Sequence, residues 1–235
     1  MSKMVGLSRN IKLRWLNETV QLVQEGFSDE EIHDKLTDYL SFEIKSATNI
    51  RKTREILMNI WVREGNTSAK LRSDALCLIE KYPEYDLIMH WCMMLSVYPV
   101  FGDLCKYIGK MSEFQDEIIL AQLKQKIFDE WGERATLFHS IDKIIATLKD
   151  FETIECDKPG KYSIRKHSIN NQEVAAFMVY TMMLVDEGSY YEYMNLNSAS
   201  YYFPFEYQIE KEFLYTDERF MISNFDGKLC LALKG

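Results

Sequence analysis

The sequence predicts a mainly α protein: a helical body, then a winged-helix-like lobe with a small antiparallel β element at the C-terminus. Three observations carry this. Apolar residues recur at helical spacing through most of the first 132 positions. Between Asp129 and Ile169 the pattern runs helix, strand, tight turn and returning strand. Finally, the runs Arg219–Phe225 and Lys228–Leu233 flank Asp226-Gly227, the two-residue turn expected of a type I′ hairpin. The expected division is a helical domain over 1–132 and a winged-helix-like domain over 133–235. No strand is expected within 84–131, and no parallel sheet.

The elements follow in order. A basic arm leads into a helix over 11–25 with Leu13, Leu16, Val20 and Val23 on one side, ended by Gly26. Ser28 and Glu31 have capping-box spacing, so a second helix runs from 29 to about 40. A third starts near Ser46 and buries Ile50, Ile56, Leu57, Ile60 and Trp61, until residues 64–67 break it. The fourth covers 68–82. Pro83 marks the next start, and 84–97 is apolar nearly all round, which makes it the central buried helix with Trp91 as its hub. Pro99 breaks that helix and a short one continues to about Gly109. Ser112 and Gln115 repeat the capping-box spacing and predict a helix from there to Trp131.

In the next segment Leu137, Ile141, Ile144, Ile145 and Leu148 fall on one helical face, with Thr136, His139, Ser140, Lys143 and Thr147 on the other. Residues 151–154 then alternate like a strand, 157–160 read as a turn, and Tyr162, Ile164 and His167 lie on a second basic strand. Beyond it Asn171 caps a helix to about Val185, and the tyrosine-dense stretch 190–207 reads as core and strand packing.

Composition narrows the function classes. The chain has 235 residues, 47% hydrophobic and 27% charged, which fits an ordinary globular protein and excludes wholesale disorder. Five scattered cysteines without a Cys-x-x-Cys read as reduced thiols in a cytoplasmic protein. No apolar run reaches the roughly 20 residues of a membrane span, so no membrane partner is expected. The net charge of −8 argues against strong nonspecific binding to nucleic acid. Its distribution is uneven, however. Residues 1–14 carry Lys3, Arg9, Lys12 and Arg14 with no acid; a second cluster holds Lys45, Arg51, Lys52 and Arg54. The wing carries Lys158, Lys161, Arg165 and Lys166.

Those patterns give a candidate nucleic-acid surface: Arg134, Thr136, His139, Ser140 and Lys143 on the recognition helix, the four wing cations, and Arg51, Lys52 and Arg54. Hydroxyls and cations of this kind bond base edges and phosphates, while a wing lies along the backbone. The plainer alternative is a helix packed on a hairpin, its polar face merely wet. No phosphate-cradling glycine loop, nucleophile elbow or metal-ligand spacing occurs, so neither an enzyme nor a cofactor is expected. The carboxylate pairs Asp29 to Glu31 and Asp116-Glu117 sit in predicted first turns of helices, where acids favour the helix dipole.

Three passages within Leu7 to Glu155 also resemble the BrxA family, the small helical component of bacterial BREX (bacteriophage exclusion) defence systems. They are the basic helix Asn49 to Leu57 with Trp61 after it, the tract Leu87 to Asp103 with Trp91, Tyr98 and Asp103, and the segment Ala135 to Glu155. The resemblance implies a helical, non-enzymatic protein that binds double-stranded DNA beside other components of the defence system. Two other readings compete: a protein-interaction adaptor with the winged segment as scaffold, and a helical RNA-binding module.

Overall fold

The computed structural model describes residues 6–63, 65, 69–186, 188–225 and 227–234. The fold is mainly α. Helices α1 (Leu13–Gln24), α2 (Asp29–Ser41), α3 (Ala47–Trp61), α4 (Ala69–Lys81), α5 (Asp86–Val97) and α6 (Pro99–Ser112) come first. The capping box at the start of α2 forms as its spacing predicts: Glu31 N–H donates to the Ser28 hydroxyl, and the Ser28 N–H donates to the Glu31 carboxylate at 2.8 Å. Lys3, the break at residues 64, 66 and 67, and Asp226 of the terminal turn lie outside the described residues.

Helix α5 is the axis of the core. It buries Ile88 to Leu95 without interruption, packs on α1, α3, α4, α6 and the later helix α9 (Gln172–Asp186), and has no wet face. One polar side chain is included in that run. His90 is fully buried, accepts the Trp61 indole N–H at Nδ1 (3.0 Å), and meets Asn17 Oδ1 through Nε2 at 2.6 Å. Asn17 in turn donates to Asp86 at 2.8 Å. Accepting from Trp61 requires an unprotonated Nδ1, so Nε2 carries the ring proton and donates to Asn17. Burial lowers the His90 pKa from 6.5 to about 3.

The unfolded chain therefore takes up this proton first as the solution is acidified. The associated stability is complete above about pH 6.5 and is lost as pH falls towards the folded value. The urea midpoint, followed from about pH 7 to about pH 4, should fall, and the fall should be shallower in His90→Gln, which carries no ring to charge. Parallel pH profiles for the two proteins would show that another group governs acid sensitivity.

From α6 onward the chain continues through β1 (Ile118–Ile119), α7 (Leu120–Trp131), α8 (Ala135–Asp150), β2 (Ile154–Lys158) and β3 (Lys161–Ile164). The three strands form an antiparallel sheet in the order β1-β3-β2, with Ile118 opposite Tyr162 and Ile154 opposite Ile164. Three expectations are corrected here. Ser112 caps nothing: it is the last residue of α6 and its hydroxyl donates to the Gly109 carbonyl at 2.7 Å, a bond serine makes readily in a closing turn. The helix expected from 112 begins instead at Leu120, behind a strand that sits inside 84–131. Residues 151–153 are a turn, not a strand. Glu152 lies in the left-handed region (φ 54°), and Thr153 N–H donates to the Leu148 carbonyl at 3.0 Å, which closes the end of α8.

The remainder wraps the α5 side of the body. After β3 the chain bends, so His167 does not extend the second strand; it begins β4 (His167–Ile169). Helix α9 follows, its first turn capped by Asn171, whose side chain accepts from Glu173 and Val174 N–H at 3.0 and 3.2 Å. Then come β5 (Tyr191–Glu192), α10 (Tyr193–Leu196), a 3-10 turn at Ser200–Tyr202, and β6 (Phe205–Tyr207). Strand β4 pairs with β6 in parallel, contrary to the expectation of no parallel pairing; the long connection through α9 makes that direction possible.

Helix α11 (Lys211–Thr216) leads to the terminal hairpin of β7 (Phe220–Phe225) and β8 (Lys228–Leu233), to which β5 adds an edge. Tyr201, Tyr202 and Tyr207 are buried, whereas Tyr191 and Tyr193 are half-buried and Tyr190 is exposed, so the tyrosine-dense stretch is core only in its second half. The Tyr202 hydroxyl donates to the Met178 carbonyl at 2.6 Å, and that of Tyr201 to Asp186 at 2.8 Å. Where the 3-10 turn crosses α6, Gly109 leaves room for the Ser200 backbone; a Cβ there would collide with the Ser200 carbonyl. Trp91 sits at this junction. Its ring meets Phe101, Phe203 and Phe205 edge-on, and its N–H donates to the Tyr201 carbonyl at 3.0 Å. The buried side chains thus form one continuous core through both expected lobes.

Candidate nucleic-acid interface

Helix α8 owes its orientation to three packed faces. Leu137, Ile141, Ile144, Ile145 and Leu148 are buried, as their spacing predicts. On the α7 side, Lys124 pairs with Asp142 at 2.6 Å and lies 3.7 Å from the Phe138 ring centroid, while Phe138 stacks on Phe128. The third face was expected to be wet and is so only in part. Ser140 and Thr147 are buried, so Ser140 is withdrawn from the candidate contacts. Thr147 accepts the Ile11 N–H at 2.8 Å and donates to the Lys143 carbonyl at 3.0 Å. The Thr147 hydroxyl, satisfied within its own helix, is buried at little cost, which is why polarity misplaced it.

What stays open on α8 is a narrow stripe. Thr136 and His139 are exposed, Lys143 is half-buried, and Arg134 occupies the N-cap position, also half-buried. Among the described residues neither His139 nor Lys143 forms an ion pair with an acid.

The β2–β3 hairpin does not project as a basic wing would. Its turn is Pro159-Gly160, with Gly160 at φ 79°, a value that suits glycine after proline. The Gly160 carbonyl accepts the Leu120 N–H at 2.9 Å, which ties the tip to the start of α7. Its cations are largely engaged. Lys161 pairs with Glu117 at 2.5 Å and holds that carboxyl below its ordinary pKa; Arg165 pairs with Glu152 at 3.1 Å; Lys166 donates to the Phe203 carbonyl at 3.0 Å. Lys158, exposed, has no ion pair among the described residues.

The α3 cluster also divides. Arg54 donates to the Thr37 hydroxyl at 2.7 Å and pairs with Glu55 at 3.3 Å, so it serves the α2–α3 contact. Arg51 and Lys52 are exposed, without an ion pair among the described residues. The N-terminal segment lies between this cluster and α8. Arg9 donates to Asn49 Oδ1 at 2.9 Å, Asn10 approaches Asp150 at 3.5 Å, and Ile11 is held by Thr147. Sequence reading found the basic arm but not its neighbours, because contacts between residues 40 and 140 positions apart leave no local pattern. Lys12 and Arg14 are occupied elsewhere: both bind Glu43, as does the Trp15 indole, and the Glu43 pKa falls to about 2, chiefly through Arg14.

Among the described residues no group of His, Cys, Asp and Glu has the arrangement of a metal site, and no single helix is long and apolar enough to cross a membrane. Compared with family models, curated proteins and solved structures, the chain shows no match.

Proposed function

We propose that this chain is a non-catalytic cytoplasmic protein that binds double-stranded DNA through α8, the recognition helix of a winged helix formed by α6, β1, α7, α8, β2 and β3. Other components of a BREX-type defence system are its proposed partners, on the strength of the family resemblance. The observation that carries the DNA reading is the stripe on α8. In this element order, with the sheet arranged β1-β3-β2, one polar helix edge stays uncovered and bears Thr136, His139 and Lys143 with no acid partner among the described residues. A helix of that width fits the major groove of B-DNA. Lys158, Arg51 and Lys52 would contact the phosphate backbone, and Arg134, Lys161, Arg165 and Lys166 would do so only by exchanging their present partners. Arg54 contributes through the position of α3.

Fluorescence anisotropy with a generic labelled duplex tests this. About four neutralised phosphates predict a fall in affinity on the order of a hundredfold between roughly 50 and 200 mM salt. Binding that ignores salt, or none at all in a folded protein, would return the function to the adaptor reading. Tighter binding to an RNA of equal length would favour the RNA-binding module.

A further inference from the structure

We infer that the nucleic-acid surface does not end with α8 but crosses the N-terminal segment to the start of α3, forming one track that follows the phosphates of a duplex. This rests on the DNA reading proposed above. The bridge is Arg9-Asn10-Ile11. Ile11 N–H is fixed to the buried Thr147 hydroxyl, Asn10 faces Asp150, and Arg9 grips Asn49. Helical spacing says what continues from each end. His139 and Lys143 lie eleven and seven residues before Asp150, hence on the same side of α8; Lys52 lies three residues after Asn49, hence on the same side of α3. The order along the surface is therefore His139, Lys143, Asn10, Arg9, Asn49, Lys52.

The cations of this track are not consumed by neighbouring acids. Arg9, Lys52, His139 and Lys143 have no ion pair among the described residues, whereas Lys12 and Arg14 are consumed by Glu43. The Arg9 guanidinium is held by two neutral acceptors, the Ser8 carbonyl and Asn49, which fix its direction and leave its charge uncompensated. From His139 to Asp150 the helix alone covers about 16 Å, close to five base pairs of rise, and the segment with α3 carries the track further. Asp150 is the acid set within it.

The test uses the full chain and a labelled duplex of about 20 base pairs, with anisotropy across a salt series. Arg9→Ala combined with Lys52→Ala should weaken binding roughly tenfold and reduce the slope of log affinity against log salt by about two, one for each lost phosphate contact. Asp150→Asn should tighten binding, since it removes a like charge to phosphate while its amide oxygen can still accept from Asn10. This second variant guards against a strap loosened by loss of Arg9, because poor folding does not raise affinity. If both variants bind as wild type while His139→Ala with Lys143→Ala loses affinity, DNA sits on α8 alone and the track is wrong. If wild type binds no duplex, the DNA reading falls with it. Equal competition by polyglutamate, with the same dependence on Arg9 and Lys52, would make this an acidic-polypeptide site and overturn the proposal.

Discussion

Replacement of Trp91 by alanine is expected to cost about 3–5 kcal/mol and to lower the thermal midpoint by roughly 6–20 °C. The size follows from what the ring touches. Trp91 is fully buried, three aromatic rings contact it edge-on at 5.0 to 5.5 Å, and its N–H satisfies the Tyr201 carbonyl. Alanine removes the ring and leaves both a cavity and an unbonded carbonyl. Trp91→Phe keeps most of the apolar surface and should lose less, with about 1–3 kcal/mol for the orphaned acceptor. Coincident melts of Trp91→Ala and wild type would mean that the C-terminal segment does not seat on α5 as described.

The second large effect concerns binding. His139→Ala with Lys143→Ala should weaken duplex affinity by about ten- to a hundredfold, on the order of 1–3 kcal/mol, with little change in the melt because His139 is exposed and Lys143 only half-buried. Removal of Lys161, Arg165 and Lys166 should do less, since a phosphate must compete with Glu117, Glu152 and the Phe203 carbonyl for them. Lys211→Ala, on an exposed position of α11, is the control. Comparable losses from all three would indicate diffuse electrostatics and no defined interface.

How much of this was legible depended on whether the cause lay nearby in the sequence. The longer helices were, apart from the start of α7, because a 3.6-residue period and local caps such as Ser28 and Asn171 are written in adjacent residues; the short α10 and α11 were not. The terminal hairpin around Gly227 was legible too. Strand β1 was not: two isoleucines have no period, and Tyr162, the partner of Ile118, lies 44 positions away. The parallel pairing of β4 with β6 failed to appear for the same reason. Ser112 shows the converse error, a correct local signature with the wrong tertiary context, since the apolar residues of α6 carried the helix through it. On the candidate site, residue types identified the cations but not their neighbours. Lys143 and Lys161 look equal in sequence; only the fold gives Glu117 to one and not the other.

The seating of Phe203 and Phe205 on Trp91 also bears on how the chain is made. The partners that close this part of the core are 110 positions downstream of the indole, as its bond to Tyr201 shows. During synthesis from the N-terminus, α5 emerges on the order of ten seconds before the segment that covers it. Over that interval Trp91 and Phe101 lack their downstream ring partners, and the nascent protein presents a sticky aromatic surface to chaperones and to neighbouring chains. Vectorial synthesis, rather than equilibrium stability alone, then sets when this molecule is first safe from aggregation.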